Sequence, residues 1–485
     1  MEFNADKYKI FDTILKNEDY QNEEIIEVIG KALSVCSPFT WEKINQILLN
    51  IIMNNEEELK KECYQGLPDY LPSLRAIIWK INFRYLPHDI KKWNNVLESK
   101  RKEYFEIKNA FNLRKKEEIK IFEELEEEDK YIEKAEEKKE DEKEEENIEK
   151  NENGNNNIEN LENNNNDINT KNNIHKERKK SLSSLAECTD RNLLEMINKD
   201  INRTRITMNF FNSLSNNKNK MTDEDQFKMF SQKNNCTYQN YKQVYIKGRD
   251  KEKLFENETN SDVIERIIYI YSKLNKEVGY VQGMNELIAP IYYCFSIDKT
   301  VSLENVEADT FWCFTLLMKD IKKLFLKEND NLKGGILDRV FILDLIISNL
   351  QKDIYRILSK NNVNIFHFAF SWINVFFCQE FFMPDILRLW DIIFCEKNRY
   401  CFVYFFAMAI LEIKKKKIAN KDFCNIIGEI KDLQNENIEK IIDLGIYFKN
   451  KYEKKVNIII SESEKNGRDN KEMVSKCQNS ISKGN

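Results

Sequence analysis

An all-α fold is what this 485-residue chain predicts, and three observations point to it. Glycine and proline are scarce, at twelve and six, whereas sandwiches and doubly wound sheets use many glycine-rich turns. Apolar residues recur at steps of three and four, and no stretch alternates convincingly with a period of two. Thirty Phe and twenty Tyr supply bulky side chains for a core between helices. The expected architecture is a multi-helix bundle with low-complexity insertions.

Ile44, Ile47, Leu48, Ile51 and Ile52 mark a first helix within an N-terminal helical extension, 1–59. A turn at Gly66-Leu67-Pro68 precedes a helix through Leu74, Ile77, Ile78, Trp79 and Ile81, expected to stop near Leu86-Pro87. From about Lys115 the composition changes. Residues 116–150 are almost all Glu, Lys and Asp, and 151–173 are mostly Asn. Such a segment cannot bury enough apolar surface to offset chain entropy, so 115–190 reads as a disordered insertion. A second polar insertion is expected over 212–251.

Periodicity then returns. Ile264, Ile267, Ile268, Tyr271 and Leu274 line one helix face, and Asn275 and Gly279 end it. That places Tyr280 to Asn285 in a connection to a helix carrying Leu287, Ile288, Ile291 and Tyr292. Further helices follow through Phe314 to Phe325, Val340 to Ile357, two aromatic runs (365–378 and 400–411) and the surroundings of Trp390. The main domain is expected to span 60–450, with a polar tail over 451–485.

Composition excludes several functional classes. A net charge of −6 argues against nucleic acid as a partner. Eleven cysteines without a CxxC pair and only three histidines give no metal-binding cluster and no histidine triad. The cysteines read as small hydrophobes in a reducing compartment. No GxxxxGK[ST] phosphate cradle is present. The apolar runs are shorter than the roughly 20 residues a membrane span needs. Met1 to Asp6 lack a basic region followed by an apolar core, so no secretory signal is expected and a cytoplasmic location is.

Two segments carry chemistry. One is Ile197 to Thr204, with Asp200 and Arg203 three residues apart and hence neighbours on a helix. The other is Tyr280-Val281-Gln282-Gly283-Met284-Asn285. Singly, the first reads as a surface ion pair and the second as a turn. Together they offer an arginine and a glutamine from two segments, the pair a partner's GTP site needs. An arginine beside the β- and γ-phosphates offsets charge that grows toward the transition state. A glutamine amide donates and accepts at once, so it can hold the attacking water. Asp200 would restrain Arg203, Gly283 would let backbone approach a ligand, and Asn285 would tie the loop to the next helix.

These segments, IxxDxxR followed by Thr and then YxQG, resemble the TBC-domain Rab GTPase-activating proteins. Gly66-Leu67-Pro68 with Arg75 and Trp79 echoes that family's opening block; Trp372 and Leu387 to Phe394, with Trp390 and Asp391, echo a later one. Glu307 to Phe314 resembles the subgroup with long insertions around the arginine block. The resemblance implies Arg203 as an arginine finger and Gln282 as a glutamine finger, with Asp200, Thr204, Tyr280, Gly283 and Asn285 in support. It implies a GTP-bound Rab as partner, GTP and Mg²⁺ carried by that partner, and no cofactor or metal of the chain's own. Membrane contact would be indirect, at endomembranes, through the GTPase. One departure is Ser371, before Trp372, where many relatives carry an arginine that could form a supporting ion pair. The rival expectation is a non-catalytic TBC-like scaffold that binds a Rab without stimulating it.

Overall fold

The computed structural model describes residues 38–69, 71–111, 190–205, 208–213, 215, 258–298, 301–326 and 334–465. Nearly all of the two insertions, and residues 1–37 and 466–485, lie outside them. Among the described residues there is no β-strand beyond an isolated bridge at Thr259. The described residues divide into two units, those within 1–102 and 200–485 and those within 103–199. In the second unit the described residues are the end of one helix (93–111) and the start of another at Asp190.

The first unit opens with α1 (Pro38–Ile52), α2 (Glu56–Gln65) and α3 (Pro72–Asn82). α4 spans 93–111, α5 is Asp190–Ile201 and α6 a single turn, Asn209–Asn212. There follow α7 (Asn260–Leu274), α8 (Met284–Ser296), α9 (Leu303–Ile321), α10 (Ile336–Leu350) and α11 (Lys352–Lys360). α12 (Phe366–Asn374), α13 (Met383–Cys395), α14 (Tyr400–Ile418), α15 (Phe423–Lys431) and α16 (Ile438–Lys465) complete it. α2 runs across residue 59 and α16 across residue 450, the expected limits of the main domain.

Local chemistry explains some of the helix ends. α7 starts with a capping box, Thr259 receiving the Asp262 amide while Asp262 accepts from the Thr259 amide. α3 ends at Asn82, short of Leu86-Pro87, because the chain turns at Arg84 with φ +62°. The first aromatic run also breaks early. α12 stops at Asn374, and Phe376 and Phe377 both adopt left-handed φ, +49° and +60°. The second aromatic run goes the other way, since α14 extends to Ile418 and buries Lys414, which reaches Glu436 at 2.8 Å.

The core is aromatic where α3 meets α13. Trp79 packs edge-on against Phe394 at 5.2 Å and beside Trp390 at 6.0 Å, and Phe83 lies 4.5 Å from Phe394. Within it sits a buried ion pair. Arg75 Nε donates to Asp391 Oδ1 at 3.1 Å and Trp79 Nε1 donates to the same oxygen at 2.8 Å. Arg388 donates to the Cys63 and Tyr64 carbonyls at 3.1 and 2.8 Å, capping two carbonyls in the last turn of α2.

A second acidic hub joins α3, α4 and α9. Asp309 accepts from Tyr85 Oη (2.8 Å) and Arg101 Nη2 (2.7 Å), and pairs with Lys80 at 2.8 Å. Burial alone would raise its pKa, but Lys80 and Arg101 outweigh burial and hold the carboxyl below its ordinary 3.8. A lowered folded pKa contributes stability that is complete above the unfolded value and is lost as pH falls through the folded one. Asp309→Asn is therefore expected to flatten the loss of stability in urea titrations below about pH 4, while costing about 3–5 kcal/mol at pH 7. An acid limb unchanged in the variant would show that Asp309 does not govern it.

A braced arginine and glutamine

α5 closes in a turn over 202–205, with the Arg203 amide donating to the Asp200 carbonyl at 3.0 Å and the Thr204 amide to Ile201 at 3.0 Å. Arg203 thus sits one turn beyond Asp200, and its Nη2 donates to Asp200 Oδ1 at 2.8 Å. The other carboxylate oxygen, Oδ2, accepts from Tyr280 Oη at 2.8 Å. One buried carboxylate therefore holds the turn bearing the arginine and the loop bearing the glutamine.

A second strut runs alongside. Asn285, in the first turn of α8, donates through Nδ2 to Thr204 Oγ1 at 2.8 Å. Its Oδ1 accepts the Gly283 amide at 3.1 Å, and Thr204 Oγ1 donates back to the Asp200 carbonyl at 2.9 Å. Asp200, Thr204, Tyr280, Gly283 and Asn285 thus form one connected, buried network. Burial and the bond to Asp200 push the Tyr280 hydroxyl far up from its ordinary range, so it stays a proton donor. Arg203 and Gln282 are the exposed members, the Arg203 side chain being 52% accessible.

Gly283 caps α8 with φ +106°, a conformation side-chain-bearing residues avoid. A Cβ there would meet Val375 Cγ1 at 3.2 Å and Asn374 Nδ2 at 3.4 Å. Gly283→Ala should therefore cost more than about 1 kcal/mol in urea unfolding, through both strain and contact. A change smaller than half of that would mean the loop relaxes freely.

The remaining motif residues lie in the helical interior. Arg75, Trp79, Trp372, Trp390 and Asp391 are at most 2% exposed; Arg75 and Asp391 form the ion pair described above, and Trp79 donates to it. Ser371 donates to Glu380 Oε1 at 2.8 Å, and burial raises the Glu380 carboxyl. Sequence reasoning missed Arg205, whose guanidinium caps carbonyls of the 378–381 segment, and Glu286 beside it. Their signal was faint: an arginine just past the IxxDxxR run and a glutamate just past YxQG.

The site and fold together define an all-α protein that presents an arginine and a glutamine from two braced loops. The sequence profile of the Rab-GTPase-TBC domain matches residues 210–419, which include Gln282, Trp372, Trp390 and Asp391 and begin after Arg203. Human TBC1 domain family member 13 is 34% identical over 194 residues, covering 37% of this chain and 48% of that protein. The TBC domain-containing protein C1952.17c of Schizosaccharomyces pombe is 25% identical over 487 residues, covering 81% and 70%. The Ypt/Rab-GAP domain of Gyp1p superposes with a TM-score of 0.53 at 18% identity, over 84% of this chain and 99% of that domain, a likeness of fold. Over these stretches the chain is similar to TBC-domain proteins. It spans about half the length of the curated relatives it matches first. Among the described residues no helix is long and apolar enough to cross a membrane.

Proposed function

We propose that this chain accelerates GTP hydrolysis by a GTP-bound Rab-family GTPase, with Arg203 and Gln282 acting in trans. The observation that carries the reading is the shared Asp200 carboxylate, bonded to Arg203 on one oxygen and to Tyr280 on the other. It braces Arg203 directly, and through Tyr280 the loop that carries Gln282, before any partner arrives, which lowers the entropy lost on insertion into a nucleotide site. Arg203 would leave Asp200 in part to meet the β- and γ-phosphates, and Gln282 would position the attacking water.

In this reading GTP and Mg²⁺ belong to the partner, and the chain needs no cofactor of its own. It would act in the cytoplasm, reaching endomembranes through the GTPase. The test is GTP hydrolysis across a Rab panel with wild type, Arg203→Ala and Gln282→Ala. Stimulation that survives in both variants would remove the two-finger mechanism. Tight Rab binding with no stimulation by wild type would favour the scaffold.

A further inference from the structure

Between the two finger-bearing loops runs an irregular strap, residues 374–381, that belongs to neither. It leaves α12 through the two consecutive left-handed residues Phe376 and Phe377, so its carbonyls are not paired as a helix would pair them. On one side Asn374 and Val375 pack against Gly283, next to Gln282. Cys378 Sγ donates to the Glu286 carbonyl in the first turn of α8 at 2.9 Å. On the other side the strap meets Arg205, two residues beyond Arg203.

Arg205 has φ +50°, unusual for a long side chain, and that conformation goes with a guanidinium turned inward onto the strap. Its Nη1 donates to the Phe381 carbonyl at 2.7 Å and its Nη2 to the Cys378 carbonyl. Nη2 also lies 2.8 Å from Cys378 Sγ, and Nε lies 3.7 Å from the Glu286 carboxylate. Burial raises the Glu286 carboxyl and Arg205 opposes that rise, so a cation here offsets the cost of a desolvated acid. The planar fork suits this task, since several donors serve separate acceptors at fixed angles.

We propose that Arg205 is a positioning residue: it clamps the arginine-bearing turn to the 374–381 strap and, through that strap and Glu286, to the start of α8, fixing Arg203 relative to Gln282. This rests on the activator reading above. Asp200 and Asn285 tie the two loops at their buried ends, and Arg205 supplies the tie through a third segment. With it removed, Arg203 keeps its charge and exposure but loses its register.

The test uses the full chain as wild type, Arg205→Ala and Arg205→Lys, with two readouts. The first is amide hydrogen exchange without partner. Arg205→Ala should raise exchange at least about tenfold at 203, 204, 283, 284 and 377–380, leaving α14 and α16 unchanged, as expected for local opening. The second is hydrolysis by the Rab that wild type stimulates most. kcat should fall about 10- to 100-fold while KM changes less than about threefold, because misplaced groups lose transition-state contacts rather than partner binding. Arg205→Lys keeps the charge without the fork and should recover part of kcat and little of the exchange protection. Unchanged exchange at those amides overturns the proposal, as does a kcat loss under twofold with wild type active. Raised exchange with a wild type that stimulates no Rab supports the clamp and counts against the activator reading.

Discussion

Arg203→Ala is expected to lower the stimulated GTP hydrolysis of the partner Rab by at least about 10²-fold at saturating protein, a loss of about 2.7 kcal/mol or more in transition-state stabilisation. The protein should remain folded, because Arg203 is exposed and contributes one bond to Asp200, which keeps Tyr280 as a donor partner. Arg203→Lys should recover little, since an ammonium cannot bridge two phosphate oxygens with a planar fork. Single-turnover hydrolysis at several protein concentrations separates the cases. A fall in kcat at constant KM fits a charge acting in the transition state; a rise in KM alone would make Arg203 a docking residue.

Asp391→Ala is expected to lower stability by about 3–5 kcal/mol in urea unfolding. It strands the Arg75 guanidinium, 2% exposed, leaving the solvent-exposed Asp69 as its carboxylate neighbour among the described residues, and it removes the acceptor of Trp79 Nε1. Against a typical total of about 5–15 kcal/mol, that is a large share. The double variant Arg75→Met, Asp391→Leu should lose much less than the sum of the single changes, because it leaves no uncompensated charge. Equal losses in single and double variants would show that the ion pair is incidental to the packing around it.

Helix type was legible because it is set by spacing. Ile264, Ile267, Ile268 and Tyr271 are buried on α7 as their intervals require. Boundaries were less legible where a backbone conformation unusual for the residue intervenes. Nothing in the apolar run 365–378 announces left-handed Phe376 and Phe377. Lys414 lies past the apolar run 400–411, yet it is buried and donates to Asp432 and Glu436 in the connection between α15 and α16. At the site, the closeness of Asp200 and Arg203 followed from their i, i+3 spacing. Tyr280 and Gln282 were recognisable as a loop, but the bond from Tyr280 to Asp200 was not.

The sequence by itself determined an all-α chain and the two segments that carry an arginine and a glutamine, because helical periodicity and short motifs express neighbours within a turn or two. Only the tertiary structure decided what holds those segments together. The bonds that do so join residues 80 apart (Asp200 with Tyr280), 81 apart (Thr204 with Asn285) and 173 apart (Arg205 with Cys378). A polar group that must be satisfied on burial takes whichever partner the packed helices bring to it. That choice depends on how loops close and helices cross, which no local spacing records.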